Sequence, residues 1–391
     1  MLKDRKFNGA RLQASRKYRG MTIIELAESI GVSKQAISQY EGGQSSPLFE
    51  VLIKIANTLG FPIDYFYEED KINIKLGNTY FRALSKMSKK EENAQKEKTK
   101  LIGKLFYFLN EYIEFPSLNL PVFEEDLSIE EKALKLREYW GLGEEPIKDV
   151  IYLLEKNGVI VSESTTDSNN IDAFSQQQNI NGEKRYVVVL GNDKFSSTRR
   201  QFSAAHELGH IILHDGFLEL DTMSKEEIRN MENEAHSFAA SFLLPKNAFS
   251  EDVNLYPTSL EYYKELKKKW RTSISAMLVR ANQLNILSYS SYQSLIKKMG
   301  RLGWRIKEPL DDTLLVNRPT VLRSAIDILL DNDILDESEI IKELSSLGLS
   351  LAREEVEELL GLDKGRLRPK KSHVEVIDMQ IKRDNKNKIA E

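Results

Sequence analysis

Histidine is the residue type to start from, because the 391-residue chain contains only five histidines and no cysteine. Four of the histidines lie between positions 206 and 236, and two of them stand in the run His206-Glu207-Leu208-Gly209-His210. Histidines four residues apart on a helix share one face, so both imidazoles can reach one metal ion. Glu207 can stay off the ion and take a proton from a water beside it. This spacing predicts a zinc-dependent hydrolytic site; the alternative is a buried helix whose histidines bind backbone carbonyls.

A hydrolytic zinc site needs a third protein ligand and one open position. The next candidates are Glu232, Glu234 and His236, on a helix predicted over residues 224–243. Glu232 shares a helical face with the apolar positions 235, 239 and 242, whereas Glu234 lies about 200° around the helix from Glu232. We therefore predict that Glu232 is the third ligand. His236 lies about 40° from Glu232 and remains the alternative.

His214 follows His210 by one further helical turn. Three histidines at four-residue steps cannot all converge on one ion from a straight helix, so we expect His214 beside the ligands. There it either supports the site or has a purely structural role. His373, the fifth histidine, stands alone near the C-terminus and is assigned no function.

Strands and helices must position these side chains. Near residue 158 the spacing of apolar residues changes from a helical pattern to one typical of strands. The runs GVIVSES and YVVVL, with a short segment around residues 171–174, are typical of strands in one small sheet. The strand at 186–190 leads into a helix that begins at Ser196 or Ser197 and ends before Gly216. The polar residues 164–182 are expected to supply a mobile loop. A substrate strand could pair antiparallel with an edge of this sheet.

The segment 199–245 carries RRQFSAAHELGHIILH followed by ExxAxxFAAxFLLP, and it resembles the ImmA/IrrE family of metallopeptidases. The similarity extends over roughly residues 80–310. The resemblance implies that His206, His210 and Glu232 hold zinc and that Glu207 is the catalytic base. It also implies an endopeptidase that cleaves a cognate transcriptional repressor in a mobile element or a stress response. His236 departs from the family pattern, since most members have Asn or Asp there.

The first 60 residues form a basic module, with nine basic and five acidic residues on a chain of net charge −4. Residues 8–67 are predicted to form five short helices. Thr22 and Glu25 have the spacing of a capping box, Gly31 ends that helix, and Ser33 caps the next. Two capped helices joined by a tight turn are typical of a helix-turn-helix. The outward residues of the second helix, which can contact base edges and phosphates, are Ser33, Lys34, Gln35, Ser38 and Gln39.

This module resembles the Cro/repressor-type (XRE) helix-turn-helix family over roughly residues 8–67, through LAESIGVSKQAISQYEGGQSSP. The resemblance implies DNA as a partner. Many members carry Gln directly after the helix cap, where it contacts a phosphate, but this chain has Ile23 there. DNA binding by one copy could therefore be weak, and a homodimer could be needed. A helical module that docks on a partner protein is the alternative.

The sequence as a whole indicates a mostly α-helical α+β protein. Its expected divisions are a helix-turn-helix domain at 1–70, a charged linker or exposed helix at 71–100, a zincin-like metallopeptidase domain with a small sheet at 101–310, a helical C-terminal region at 311–365 and a charged tail at 366–391. The basic N-terminus lacks the apolar stretch of a secretory signal, and no window approaches about 18 uninterrupted apolar residues. We therefore expect a cytoplasmic protein without a membrane partner.

Two functions from different classes fit these features. The first is a cytoplasmic zinc endopeptidase that cleaves a repressor and carries its own DNA-binding domain. The second is a DNA-binding regulator whose zinc domain is a sensor or scaffold with little hydrolytic activity. The intact Glu207 favours the enzyme, because a scaffold could bind metal without that carboxylate.

Overall fold

The computed structural model describes residues 5–81, 88–164, 172–191, 196–214 and 223–369. Within these ranges the chain is mostly α-helical with one four-stranded sheet, which confirms the predicted α+β class. Residues 165–171 of the predicted loop, Gly216, His373 and the tail from position 370 lie outside the described residues. No helix in the described ranges is both long enough and apolar enough to cross a membrane.

The N-terminal module has helices whose ends follow from their capping residues. These are α1 (Gly9–Tyr18), α2 (Ile23–Ile30), α3 (Lys34–Glu41) and α4 (Phe49–Leu59), followed by the 3-10 helix Ile63–Tyr67. The Glu25 N–H donates to Thr22 Oγ1 at 3.1 Å, and the Thr22 N–H donates to the Glu25 carboxylate at 2.6 Å. Gly31 adopts a φ of 73°, a left-handed conformation that favours glycine, and so ends α2. The capping box and turn predicted from the sequence are both present.

The sheet has the strand order β1-β3-β4-β2. Its strands are β1 (Ile74–Phe81), β2 (Ile160–Ser164), β3 (Ala173–Ile180) and β4 (Glu183–Gly191). β3 runs antiparallel to both β1 and β4, and β2 runs parallel to β4. Because successive side chains of a strand point to opposite faces, Val187 and Val189 pack in one core and Val188 packs in another.

Residues 173–180 of the polar stretch predicted as a loop form strand β3. Its three glutamines are buried, and the amide nitrogens of two of them are hydrogen bonded: Gln176 Nε2 donates to Thr79 Oγ1, and Gln178 Nε2 donates to the Thr99 carbonyl at 2.9 Å. Burying an amide is tolerable when its polar atoms find partners on neighbouring elements. Polarity alone was therefore a poor guide to the loop here.

The charged segment 71–100, predicted as a linker or an exposed helix, differs from that prediction. It contains strand β1 and the first half of helix α5 (Lys89–Asn110). Ala94 and Thr99 of α5 are buried. Ion pairs along the helix, such as Lys96–Glu92 at 2.6 Å, let charged side chains coexist with a packed face. The described residues of the segment, 71–81 and 88–100, are thus part of the folded structure.

Helices on one face of the sheet build the region that contains the histidine pair. They are α6 (Ile129–Tyr139), α7 (Val150–Lys156), α8 (Ser197–Leu213), α9 (Lys225–Leu243), α10 (Lys246–Val253), α11 (Leu260–Trp270), α12 (Ile274–Gln283) and α13 (Tyr289–Arg301). Their buried apolar residues share a core with that face of the sheet. α8 follows β4 and packs on α9, where a Cβ added at Gly209 would come within 3.1 Å of Ala235 Cα. Glycine at this position lets the two helix backbones approach closely.

The C-terminal helices pack on the opposite face of the sheet. They are α14 (Val321–Asp331), α15 (Glu337–Ser346) and α16 (Arg353–Leu359). They share a hydrophobic core with the N-terminal module and α5. Ser162 Oγ of β2 donates to the Leu359 carbonyl at 2.8 Å, and Arg11 Nη2 of α1 donates to the Gly348 carbonyl at 2.7 Å. The C-terminal helices therefore join the N-terminal module to the sheet.

Candidate metal centre

Three side chains from α8 and α9 converge at one point. The Nε2 atoms of His206 and His210 lie 3.1 Å apart, and each lies 3.3 Å from a carboxylate oxygen of Glu232. Two ligands at about 2.0–2.1 Å from one ion in tetrahedral geometry are about 3.3 Å apart, so these donor atoms fit a single ion. Within the described residues, these three form a group that could hold a metal ion. We call this group the donor triad.

Burial and hydrogen bonding set the protonation states that such an ion requires. Burial lowers the pKa of His206 to about 3, so its imidazole is neutral at neutral pH. Burial alone would raise the pKa of the Glu232 carboxyl, but hydrogen bonds with His206 and His210 outweigh burial and lower that pKa. Metal ligands must be neutral imidazole and ionised carboxylate, and these two residues meet that requirement.

Glu207 is fully buried beside the donor triad without being part of it. Its Oε2 accepts a hydrogen bond from Ser175 Oγ of β3 at 2.7 Å. This bond fixes the direction of the carboxylate. Ser175 is a residue that the sequence analysis missed, because tertiary packing alone brings β3 to α8.

His214 lies at the C-terminal end of α8, where the backbone has turned to an extended conformation with φ −118° and ψ 137°. Its Nδ1 lies 3.1 Å from His210 Nδ1, and its Nε2 lies 3.1 Å from Glu234 Oε2. Burial and the neighbouring His210 lower the pKa of the His214 imidazole. The structure thus places His214 behind one member of the donor triad. Glu234, which the sequence analysis rejected as a ligand, contacts His214 instead.

His236 lies beside the donor triad and is not one of its members. Its ring centroid is 4.4 Å from that of His206 and 5.9 Å from that of Phe202, on which it stacks. His236 and Phe202 line a cavity of about 760 Å³ that extends to Trp304. A cavity of this size next to the donor triad can receive side chains of a peptide.

Strand β3 is the strand nearest to Glu207, and both of its edges are paired. β4 occupies one edge, and β1 occupies the other, with Tyr80 opposite Ser175 in the register. Gln176 Nε2 donates to Thr79 Oγ1 across the β1–β3 pair at 2.5 Å. A substrate strand was expected at an edge of the sheet, but β1 pairs with the side of β3 that β4 leaves free.

The residues predicted to contact DNA lie on α3 and at its start. Those that are exposed are Ser33, Lys34, Gln35 and Ser38, and Gln39 is half-buried. Ser33 Oγ accepts a hydrogen bond from the Ala36 N–H at 3.1 Å, so this hydroxyl also caps the helix. Arg16 of α1 binds the Glu41 carboxylate at 2.5 Å and holds the end of α3. Both ends of α3 are therefore held by polar contacts within the module.

Comparison with known families agrees with both resemblances predicted from the sequence. Residues 154–282 match the model of a peptidase family described as the IrrE N-terminal-like domain. Residues 12–66 match the model of a helix-turn-helix family. Both matches lie within the ranges predicted for them. No curated protein matches the chain.

Proposed function

We propose, from the premise that the chain carries an IrrE N-terminal-like domain behind a helix-turn-helix domain, that it is a zinc-dependent endopeptidase that also binds DNA. Its substrate in this proposal is a transcriptional repressor or regulator of a mobile-element or stress response. The observation that carries the proposal is the donor triad next to the buried Glu207. A DNA-binding module on the same chain would raise the local concentration of the peptidase around DNA-bound repressors.

The donor triad would hold the zinc ion and leave one coordination position open. Bound zinc supplies a Lewis acid that polarises a peptide carbonyl and acidifies a water molecule. Glu207 accepts the proton of the attacking water and passes it to the departing amine nitrogen as the peptide C–N bond breaks. Ser175 keeps the Glu207 carboxylate directed by its hydrogen bond to Oε2.

The decisive substitution is Glu207→Gln. It removes the base and leaves the donor triad intact, so zinc should stay bound while cleavage falls by about 10²–10⁴-fold. Zinc content per chain and cleavage of candidate repressors, beginning with any encoded beside the gene, are the two measurements. Glu226→Gln, at an exposed position on α9, is the matched control and should cleave like the unchanged protein. Undiminished cleavage by zinc-loaded Glu207→Gln would contradict the proposal.

A second candidate function is a DNA-binding regulator whose zinc domain is a sensor or scaffold. The observation that favours it is β1, which pairs with β3 on the side that β4 leaves free, so that neither side of β3 is open to a substrate strand. Under this alternative, zinc removal changes DNA binding while repressors stay intact in the presence of the unchanged protein. The same cleavage assay, run with and without a chelator, distinguishes the two functions.

The proposal includes a homodimer as the form that binds an operator. Ile23 stands where the resembling family often has a phosphate-contacting Gln, so one module has fewer DNA contacts. Two modules on two half-sites would compensate for that loss. Sedimentation of the protein with and without operator-length DNA would show whether two chains bind one duplex.

A further inference from the structure

A groove beside the start of α2 is lined by lysines from three separate helices. The groove has a volume of about 380 Å³, and its lysines are Lys17 of α1, Lys34 of α3, and Lys89 and Lys90 of α5. Among the described residues, two carboxylates pair with them: Glu25 lies 2.7 Å from Lys90, and Glu92 lies 3.1 Å from Lys89. The four lysines outnumber these two carboxylates, so these described side chains together carry a net positive charge. We call this groove the lysine groove.

The first turn of α5 is held against the loop that connects α1 to α2. A Cβ added at Gly20 would lie 3.8 Å from Ala94 Cβ and 3.9 Å from Lys90 Cε. Gly20 has a φ of 59°, so the chain turns here and brings the start of α2 next to α5. Ile23 lines the same groove as Lys89 and Lys90. The α5 lysines therefore lie beside the position at which the resembling family often has its phosphate-contacting Gln.

The lysine groove is continuous with the face of α3 that is predicted to contact DNA. Lys34 belongs to both, since it is the first residue of α3 and also lines the groove. When Lys34 and Gln35 enter the major groove of a DNA duplex, the phosphate backbone of that duplex lies along the neighbouring protein surface. That surface is positive and matches the charge of the phosphates.

We propose that Lys89 and Lys90 of α5 contact the DNA phosphate backbone and supply the contact that Ile23 cannot make. This inference rests on the DNA-binding part of the proposed function. The Lys90–Glu25 pair is exposed, with 43% and 45% of the two side chains accessible. Exposed ion pairs contribute little to stability, so Lys90 can exchange Glu25 for a phosphate. The DNA-binding surface thus extends beyond the helix-turn-helix into the helix that packs on the sheet.

The test is the salt dependence of binding to a mixed-sequence duplex of about 30 base pairs, because phosphate contacts do not require an operator. Each neutralised phosphate contributes about 0.9 to the slope of log affinity against log salt. Lys89→Gln/Lys90→Gln should therefore reduce the slope by about 1.8. Lys297→Gln/Lys298→Gln removes the same charge from an adjacent exposed pair on α13 and should leave the slope unchanged. Lys34→Gln reports separately on contacts made by α3.

The possible results separate this inference from the proposed function. If Lys34→Gln weakens binding while Lys89→Gln/Lys90→Gln keeps the original slope, the α5 lysines do not contact DNA and the inference is wrong. Equal losses in the α5 and α13 variants would show a general charge effect and would also overturn it. If the unchanged protein does not bind the duplex even at low salt, the DNA-binding part of the proposed function fails as well.

Discussion

A chain of close polar contacts runs from Glu234 through His214 to Nδ1 of His210. His210 presents Nε2 to the donor triad, so its Nδ1 carries the proton when Nε2 binds an ion. That N–H can donate to Nδ1 of His214, whose Nε2–H then donates to Glu234. Partners of this kind orient a ligating imidazole and raise its basicity. His214 would therefore act through His210 and not as a ligand.

Zinc affinity distinguishes the two candidates for the third ligand. Glu232→Ala removes the carboxylate that faces both His206 and His210. Zinc affinity should then fall by more than about 100-fold, which exceeds the loss expected for a residue that only hydrogen-bonds to a ligand. His236→Asn introduces a residue common in the resembling family and should keep zinc. Competition with a chromophoric chelator measures both affinities. The reverse result would make His236 the third ligand.

At the scale of elements, strand β1 controls access to β3. An extended substrate adds to a sheet by pairing with an unoccupied strand edge. The described residues leave no such edge on β3, since β1 and β4 pair with its two sides. If substrate pairs with β3 beside Ser175, β1 must first leave. The resting protein is then expected to be less active than a protein whose β1 is displaced.

A reversible cross-link between β1 and β3 tests this expectation. Thr79 and Gln176 lie opposite each other and their side chains touch, so Thr79→Cys/Gln176→Cys places two thiols in a chain that otherwise has none. The disulfide keeps β1 paired with β3, so a substrate strand cannot pair there. The oxidised protein should therefore cleave repressor at least about 10-fold more slowly than the reduced protein. The reduced form of the same variant is the control for folding. Equal rates in both forms would show that substrate does not use this edge.

At the scale of the whole molecule, Glu355 of α16 anchors the N-terminal module. Its buried carboxylate accepts hydrogen bonds from the Tyr18 hydroxyl and from Arg19 Nη2, the latter at 2.5 Å. Burial, together with the Glu355 charge, raises the pKa of Tyr18, so its hydroxyl stays protonated and can donate. The module also shares its hydrophobic core with α5 and the C-terminal helices. The helix-turn-helix module and the region of the donor triad are thus joined through packed elements.

Glu355→Ala should loosen this junction. It leaves the Tyr18 hydroxyl buried without its acceptor, which typically costs about 1–3 kcal/mol of unfolding free energy. We expect a lower Tm and earlier unfolding of the N-terminal module, measured by calorimetry and by proteolysis. Glu354→Ala, at an exposed position on the same helix, is the control. A Glu355→Ala protein as stable as this control would show that the junction does not depend on Glu355.

The sequence alone was sufficient where the information lies within one element or one turn. The His206–His210 pair depends on the helical repeat, and the Thr22–Glu25 capping box depends on a spacing of three residues. Glu232 was also predicted, because its apolar neighbours along α9 indicate which face points inward, and the structure brings it to both histidines. Such patterns are local, so they can be seen before the fold is known.

Only the tertiary structure decided which distant residues surround the site. Ser175 and Glu207 are 32 positions apart, and Tyr18 and Glu355 are 337 positions apart. No periodicity connects such pairs, because they meet through the packing of separate elements. The same reason explains why the prediction of a linker or exposed helix over residues 71–100 was wrong. The strand and helix of this segment are stabilised by β3 and by the shared core, and the local sequence does not reveal these contacts.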